Sequence, residues 1–250
     1  MYNNVLIITD NDYLYQHIRN YLNAAHLNIN RVDFRYSPVN NEFLNKYGDS
    51  LEFKPLNIKK DYKILIDTYD LIFSLHCKQL FPKELVEKVT CINVHPGYNP
   101  YNRGWYPHIF SIINGMSAGV TIHLMDAELD HGAIIDQETI KIETWETSDK
   151  VYRRILRHEV KLLKRNLKPI IEGQFHAYPP KEEGNINYIK DFQDLCKLDL
   201  NKKGTFKEFI NQLRALTHGR YNNAYFFDEN GNKIYIKINL TKVKPIKKRE

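Results

Sequence analysis

The chain opens with an apolar strand that leads directly into an amphipathic helix, and this order constrains the fold more than any other feature. Residues 4–10 read Asn-Val-Leu-Ile-Ile-Thr-Asp, and residues 13–22 then carry apolar side chains at helical spacing. Further apolar runs at residues 69–75, 90–94 and 120–125 alternate with helix candidates at residues 82–88 and 105–114. Repeated alternation of strand and helix predicts an α/β fold with a Rossmann-like, doubly wound core.

The last 120 residues carry a long helix and then a smaller region. A strand pattern at residues 133–142 precedes the longest helical pattern, residues 151–171, for which Ser148 is the predicted cap and Gly173 the predicted stop. Residues 178–185 concentrate proline, glycine and charge, which favours a boundary between a domain of residues 1–180 and one of residues 181–250. A helix at residues 206–216 and a β-hairpin around Asn230-Gly231 predict a small C-terminal domain.

Net charge argues against a broad nucleic-acid-binding face. The chain has 36 Lys plus Arg against 30 Asp plus Glu, a formal charge of +6, yet residues 1–180 carry 21 of each and are neutral. The excess lies in residues 181–250, and the last nine residues alone contribute +4. We therefore expect a solvated basic tail and no nucleic-acid partner.

Cysteine count and hydropathy indicate the compartment. Three cysteines, Cys77, Cys91 and Cys196, are too few for a disulfide framework in 250 residues, which favours a reducing compartment. The N-terminal apolar run is too short for a signal peptide, and no run reaches the roughly 18 apolar residues of a membrane span. We expect a cytoplasmic protein without membrane contact. The eleven glycines never form a dinucleotide or Walker fingerprint, which disfavours NAD or ATP at the first turn.

Three polar residues supply a plausible chemistry. Asn93 and His95 end a strand and, with one residue between them, point to the same face, while Asp130 follows the exit of a later strand. An asparagine amide stabilises an oxyanion, a histidine moves protons near neutral pH, and an aspartate orients the histidine. Together they suit acyl transfer to an amine, which needs no serine or cysteine nucleophile.

These residue types also occur in ordinary structural roles and in metal sites. Asn-x-His-Pro alone is usually a strand that ends in a turn, and isolated aspartates are usually turn or cap residues. A zinc site from His76, Cys77, Cys91 and His95 would need adjacent residues of one strand to point the same way, and its spacing is not that of closed zinc sites. We therefore expect no metal.

The two motifs together resemble the N10-formyltetrahydrofolate-dependent formyltransferases. Asn93-Val-His95-Pro96 and Leu129-Asp130-His131-Gly132 stand in the order and spacing of that family's signature. The resemblance implies a catalytic triad of Asn93, His95 and Asp130, with N10-formyltetrahydrofolate as co-substrate. It also implies a pterin pocket lined by two segments, whose residues are Leu80, Phe81, Pro82, Asp126, Glu128 and Leu129.

Within that family, the chain is most similar to sugar N-formyltransferases of dTDP-linked aminosugars. The resemblance lies in residues 96–107, 111–114, 213–219 and 221–224. It implies substrate contacts from Lys78, Arg103, Gly104, Trp105, Gly219, Arg220, Tyr221 and Asn222. Lysine and arginine would neutralise a pyrophosphate, and Trp105 or Tyr221 offers a flat face to a base or sugar.

The expected reaction is formyl transfer to dTDP-4-amino-4,6-dideoxyglucose, giving the 4-formamido sugar for O-antigen synthesis. A 3-amino sugar stays open as the acceptor; initiator tRNA is a weaker alternative, because only about 65 residues follow the boundary. A nucleic-acid-binding protein that uses the basic C-terminus, or a folate-binding regulator, is the non-enzyme alternative. The hairpin of residues 224–240 leaves an apolar edge, which predicts a homodimer.

Overall fold

The computed structural model describes residues 1–25, 27 and 29–243, which form a central sheet, its flanking helices and a C-terminal region. The first half contains β1 (Asn4–Thr9), α1 (Asp12–Ala24), β2 (Arg31–Tyr36), α2 (Asn41–Tyr47), β3 (Phe53–Pro55), α3 (Ile58–Thr68), β4 (Leu71–Leu75), α4 (Lys83–Lys88), β5 (Thr90–His95), β6 (Arg103–Gly104), α5 (Pro107–Asn114) and β7 (Gly119–Leu124). The second half contains β8 (Ile134–Thr139), α6 (Ser148–Ile171), β9 (Ile186–Asn187), α7 (Ile189–Cys196), α8 (Phe206–Leu216), β10 (Thr217–His218), β11 (Tyr221–Asn222), β12 (Tyr225–Phe227) and β13 (Lys233–Tyr235).

Seven strands form the central sheet in the order β3-β2-β1-β4-β5-β7-β8. The first five run parallel, whereas β7 is antiparallel to both of its neighbours. Strands to either side of β1 are reached by successive crossovers, as in a doubly wound sheet. The predicted α/β class and Rossmann-like core are confirmed, and the reversal of β7 makes the sheet mixed.

Helices cover both faces because the central strands β1 and β4 are largely apolar on both sides. On one face α1, α5 and α6 pack against residues such as Ile7, Phe73 and Val94. On the other face α3 and α4 pack against Leu6, Ile8 and neighbouring strand residues. Near-continuous apolar strands of this kind are typical of a sheet buried on both faces.

The ends of α6 test two local predictions. Gly173 lies just after the helix with φ +72°, a left-handed conformation that favours glycine at a helix end, so the predicted stop is confirmed. The predicted cap at Ser148 is wrong: Thr147 is the N-cap, and neither caps through its side chain. The Ser148 hydroxyl instead donates to the carbonyl of Thr217 at 3.0 Å, because Ser148 is buried under β10.

The C-terminal region is larger in regular structure than the sequence indicated. It contains the predicted helix α8 and the antiparallel pair β12–β13, together with α7 and the short pair β10–β11. Ala215 of α8 lies in the main core, and β9 pairs with β6. A division at residues 180 and 181 stays a prediction, and the basic tail from residue 244 onward lies outside the described residues. None of the helices in the described ranges has the length and hydropathy to cross a membrane.

Candidate active site

Two polar side chains project from the carboxyl-terminal half of strand β5. Asn93 and His95 lie two positions apart, so strand alternation places both on the same face of the sheet. Asn93 is opposite Ser74 of β4 on one side and His123 of β7 on the other. The alternate residues Ile92 and Val94 point to the other face, into the core that α6 covers. Asn93 and His95 thus lie on one face, as their spacing in the sequence predicts.

Asp130 reaches the same face by a route that the sequence did not predict. Because β7 is antiparallel to β5, its carboxyl end lies opposite Ile92, away from His95. The loop of residues 125–133 must turn back across the face of the sheet to bring Asp130 to Asn93. Asp130 has a left-handed backbone, with φ 51°, and a Cβ at Gly132 would lie 1.9 Å from the carbonyl oxygen of Leu124. The return of this loop therefore depends on a glycine at position 132.

Asp130 contacts both of the other residues directly. The Asn93 amide donates to Oδ1 of Asp130 at 2.8 Å, and Nδ1 of His95 lies 3.4 Å from Oδ2. The backbone N–H of Gly104 donates to Oδ2 at 3.0 Å, and the Asn99 amide donates to the carbonyl of Asp130 at 2.8 Å. The carboxylate is thus held from several sides, which fixes the position of the imidazole.

Burial sets the charge of the group. It lowers the pKa of His95 to about 4, although the Asp130 carboxylate opposes the shift. Burial alone would raise the pKa of Asp130, but the electrostatic interaction with His95 and the backbone N–H of Gly104 hold it well below its usual range. At neutral pH a neutral imidazole therefore faces an ionised carboxylate. Nε2 of His95 is buried and has no partner among the described residues, which leaves it free to exchange a proton.

His123 is a further member of this cluster that sequence reasoning missed. Its Nδ1 is 2.8 Å from the carbonyl of Leu124, so Nε2 carries the lone pair. Nε2 lies 3.3 Å from the Asn93 amide nitrogen, and the two N–H groups of Asn93 are thus directed at Asp130 and His123. The contact with His123 is the longer of the two and is the one that can exchange for a developing oxyanion. The sequence signal for His123 is a histidine within the largely apolar pattern of β7.

The two segments assigned to the pterin pocket border one apolar cluster, which contains Leu6 and Ile8 on the face that α3 and α4 cover. Phe81 packs against it, as does Met125 at the start of the loop that carries Asp126, Glu128 and Leu129. Asp126 accepts the backbone N–H of Glu128 at 2.9 Å, and Glu128 itself is exposed. Two further members of the first segment differ in exposure: Leu80 is 78% exposed, whereas Pro82 is half-buried and is the N-cap of α4. Their contacts with a pterin stay predictions.

The two cations assigned to a pyrophosphate lie in different environments. Lys78 is exposed, and its backbone N–H donates to Asp10 at 2.8 Å. Arg103 is buried, and its guanidinium pairs with Glu183 at 2.6 Å. A buried charge needs a partner, and Glu183 supplies it here, so the contact of Arg103 with a pyrophosphate stays a prediction. Gly104 holds Asp130, and Trp105, 43% exposed, follows it in the chain.

The turn of residues 219–222 joins β10 to β11 at the molecular surface. Tyr221 is 54% exposed, and the Arg220 guanidinium lies over its ring and 3.9 Å from Glu42. Gly219 has φ +47° at the turn itself, and Asn222 pairs with Thr217. This turn does not contact the triad, and its role in binding a nucleotide stays a prediction.

A second polar cluster, which the sequence did not single out, lies beside the triad. Nε2 of His76 is 2.7 Å from Glu159, and its Nδ1 is 3.2 Å from the hydroxyl of Tyr152. Rings continue from Tyr152 through His108 and His218 to Tyr221, with centroids 5.2 to 6.0 Å apart. The signal for this cluster was Glu159, an acid within the apolar stripe of α6.

Three ionisable groups lie close enough to share a metal ion. Ligand atoms of Glu128, His131 and Glu183 lie within 4.8 Å of one another. Two of these residues are exposed, and Glu183 already neutralises Arg103. The contacts of Glu183 with Arg103 and His131 explain why these groups lie together without a metal ion.

Family comparisons identify two segments of the chain. A model of the formyl transferase family matches residues 40–167, which include Asn93, His95 and Asp130. A second model, described as the N-formyltransferase dimerization C-terminal domain, matches residues 191–242. The first match covers about half of the chain and all of the triad.

Individual proteins agree with these matches. The chain is 49% identical over 181 residues to a dTDP-4-amino-4,6-dideoxyglucose formyltransferase of Mycobacterium bovis, over 72% of this chain and 77% of the relative. It superposes on a 4-N formyltransferase from Francisella tularensis with a TM-score of 0.92 and 42% identity, over 96% and 99% of the two chains. An N-formyltransferase from Helicobacter canadensis, in complex with folinic acid and dTDP-3-aminofucose, shares the fold at 22% identity, with a TM-score of 0.68 over 85% and 80%.

Proposed function

The chain belongs to the formyl transferase family, and on this premise we propose that it transfers a formyl group from N10-formyltetrahydrofolate to the amine of dTDP-4-amino-4,6-dideoxyglucose. The product would be dTDP-4-formamido-4,6-dideoxyglucose. The observation that carries the proposal is the convergence of Asn93, His95 and Asp130 around a buried, unpartnered Nε2. That atom has the position and charge state to move a proton between two nitrogen atoms.

The residues of the site fit a folate co-substrate. An apolar border that includes Phe81 and Met125 suits a flat pterin, and it lies next to the loop that carries Asp130. When bound, N10-formyltetrahydrofolate supplies an activated formyl carbon and a nitrogen leaving group. The distant structural relative that binds folinic acid supports the same assignment.

Each member of the triad has one task in the proposed reaction. An N–H of Asn93 donates to the formyl oxygen as it gains negative charge, which is typically worth about 3–4 kcal/mol of barrier per donor. Neutral His95 accepts a proton at Nε2 from the attacking amine and returns it to the departing nitrogen. Asp130 holds Nδ1 and stabilises the imidazolium while it exists.

Similarity to named relatives supports the choice of acceptor. The Mycobacterium bovis relative acts on the 4-amino-4,6-dideoxyglucose compound by name, and the Francisella tularensis structure is a 4-N formyltransferase. The alternative acceptor, a 3-amino sugar, has support from a relative that shares only the fold. We assign the product to O-antigen synthesis as part of the same proposal.

Assembly and location belong to the proposal as well. A dimerization model matches residues 191–242, and the β12–β13 hairpin exposes Phe227, Ile234 and Tyr235. These apolar side chains support a homodimer. All three cysteines are free thiols in the structure, which supports a reducing location such as the cytoplasm.

A direct assay separates the acceptors. The purified protein and N10-formyltetrahydrofolate are mixed with dTDP-4-amino, dTDP-3-amino or UDP-4-amino sugars, and formylated product is detected by mass spectrometry. We expect the dTDP-4-amino sugar to give the highest kcat/KM, and we expect the Asn93→Ala protein to form this product about 10²- to 10³-fold more slowly. Preferential formylation of the 3-amino sugar would replace the acceptor. Formylation of charged initiator tRNA, with no sugar product, would overturn the proposal.

A further inference from the structure

His76 lies at the same edge of the sheet as His95 and one strand away. Parallel pairing of β4 with β5 sets Leu75 opposite Val94, so His76 and His95 follow at corresponding positions about 5 Å apart. Strand alternation would point His76 to the face of Ser74, but its backbone is left-handed, with φ 58°. The imidazole therefore turns toward α6 on the opposite face, where it meets Glu159.

Glu159 is a carboxyl group without a structural reason for its position. Its side chain is 0% exposed, it lies one turn after Ile155 on the apolar stripe of α6, and Oε2 has no partner among the described residues. Burial raises the pKa of Glu159, although His76 opposes the shift. A buried ion pair is usually no more stable than the apolar packing that could replace it. Such a group beside a catalytic cluster is a candidate for function.

Hydrogen bonds fix the direction in which the pair can pass a proton. An Asn11 amide donates to the hydroxyl of Tyr152 at 3.1 Å, so that hydroxyl directs its own proton to Nδ1 of His76. Nε2 then carries the other proton and donates it to Glu159 at 2.7 Å. The contact at Nδ1, 3.2 Å, is long for a hydroxyl donor, so a stronger donor can displace it.

The proposed reaction leaves one proton unassigned. A primary amine next to oxygen-bearing carbons titrates near the value of about 8 of an α-amino group, so it arrives mainly as an ammonium ion at neutral pH. His95 handles the proton that passes between the two nitrogen atoms during transfer. The additional ammonium proton must leave earlier, because a protonated amine has no lone pair with which to attack.

We propose that His76 accepts this ammonium proton at Nδ1 and passes its Nε2 proton to Glu159, so that the amine is freed next to His95. The inference rests on the proposed function, since it requires an amine as the acceptor. The ammonium N–H bond breaks, a bond forms at Nδ1, and the Nε2 proton moves to the carboxylate. The sum of the reaction is ammonium plus formyl donor to formamide, tetrahydrofolate and one proton, which returns to solvent from Glu159 through His76.

The surroundings of the pair contain few competing charges. Among the described residues, the titratable groups that face it are Tyr152 on α6, His95 at the end of β5 and His108 on α5. Burial raises the pKa of Tyr152, and it lowers the pKa of His108 to about 3. Both therefore stay uncharged at neutral pH, and Glu159 is the one carboxylate that contacts His76 in the described structure. Glu159 acts through His76 and is a positioning residue.

The test compares pH profiles of kcat/KM for the dTDP-4-amino sugar. In wild type we expect a nearly constant value between pH 6 and 8, because the enzyme deprotonates the ammonium itself. Glu159→Gln keeps a hydrogen bond to His76 but accepts no proton, so its kcat/KM should be about 10²-fold lower at pH 6. It should rise about tenfold per pH unit toward pH 8, level off above it, and come within about threefold of wild type at pH 9, where most of the amine is unprotonated.

A matched control is Glu138 of β8, whose partner His158 is the neighbour of Glu159 on α6. His158 pairs with Glu138 at 2.8 Å outside the site, so Glu138→Gln removes a carboxylate of the same kind and should leave the profile unchanged. If Glu159→Gln fails to fold by circular dichroism, His76→Asn takes its place with the same expected profile. A wild-type kcat/KM that itself rises tenfold per unit from pH 6 to 8 overturns the inference without any variant.

The outcomes separate this inference from the function on which it rests. No sugar product with wild type overturns the proposed function, and the inference falls with it. Product from wild type, together with a Glu159→Gln profile that is equal to wild type or lower by one constant factor at every pH, overturns the inference alone.

Discussion

Gly132→Ala tests how the loop of residues 125–133 sets the geometry of the triad. A Cβ at position 132 would lie 1.9 Å from the carbonyl oxygen of Leu124 and 2.8 Å from its carbonyl carbon. Both atoms are backbone atoms of β7, so no side chain can rotate away. The loop must therefore move by roughly 1 Å, a displacement that can cost about 10²-fold in rate at an active site.

The distances in the site translate this shift into lost contacts. A movement of that size would stretch the 2.8 Å bond between Asn93 and Asp130 beyond hydrogen-bonding range. The contact between Asp130 and His95 is already 3.4 Å, so the imidazole would lose its orientation as well. We expect kcat to fall about 10²-fold. The free energy of unfolding should fall by about 1–3 kcal/mol, the usual cost of overpacking.

The assay measures formyl transfer by mass spectrometry and stability by urea denaturation. Gly204→Ala is the matched control, since a Cβ there would lie 3.0 Å from the Glu208 carboxylate and 3.1 Å from the Phe209 ring, both of which are side-chain atoms outside the site. It should leave kcat unchanged. Wild-type kcat in Gly132→Ala, at unchanged stability, would show that the return of the loop does not position Asp130.

Three further predictions concern the triad, its charge state and the hairpin. Asn93→Ala should lower kcat about 10²- to 10³-fold with an unchanged circular dichroism spectrum, because it removes an oxyanion donor; a loss smaller than tenfold would contradict that role. Since burial lowers the pKa of His95 to about 4, the unfolded chain binds a proton between about pH 6.5 and 4 that the folded chain does not. As the pH falls from about 6.5 to about 4, the free energy of unfolding of wild type should therefore drop by up to about 3 kcal/mol more than that of His95→Asn. Urea titrations at several pH values measure this difference. Ile234→Asp should convert a dimer to monomers by light scattering, because it places a charge among the exposed apolar side chains of β12–β13.

The elements that sequence patterns predicted are those with many apolar side chains. β1 and β4 are largely apolar on both faces, β5 and β7 are apolar on the face that α6 covers, and the stripe of α6 extends over 24 residues. Sequence patterns predict no helix or strand between α1 and β4. There β2 reads Arg-Val-Asp-Phe-Arg-Tyr, β3 has three residues, and α3 buries only Ile58 and Leu65. Pairing at an edge of the sheet stabilises such strands, and a local pattern does not contain that information.

The triad was predictable because its members lie in two short motifs, whereas the position of Asp130 depended on long-range pairing. The sequence places Asp130 after the exit of a later strand, without indicating the direction of that strand relative to β5. In the structure this strand, β7, is antiparallel to β5, and the loop brings the carboxylate back by a left-handed residue and a close glycine contact. The motif therefore identified the residue, and the topology determined how it arrives.

The left-handed backbone at His76 explains how groups from both faces of the sheet meet at one edge. Asn93, His95 and Asp130 occupy the face opposite α6, and a regular continuation of β4 would leave Glu159 isolated behind the sheet. With φ 58°, His76, the residue after β4, turns its ring toward α6, where Nε2 lies 2.7 Å from Glu159. A non-glycine residue in this conformation costs of order 1 kcal/mol or more and persists only where its surroundings enforce it. The bonds to Tyr152 and Glu159 supply that enforcement, so Glu159→Leu should relax His76 even if it stabilises α6.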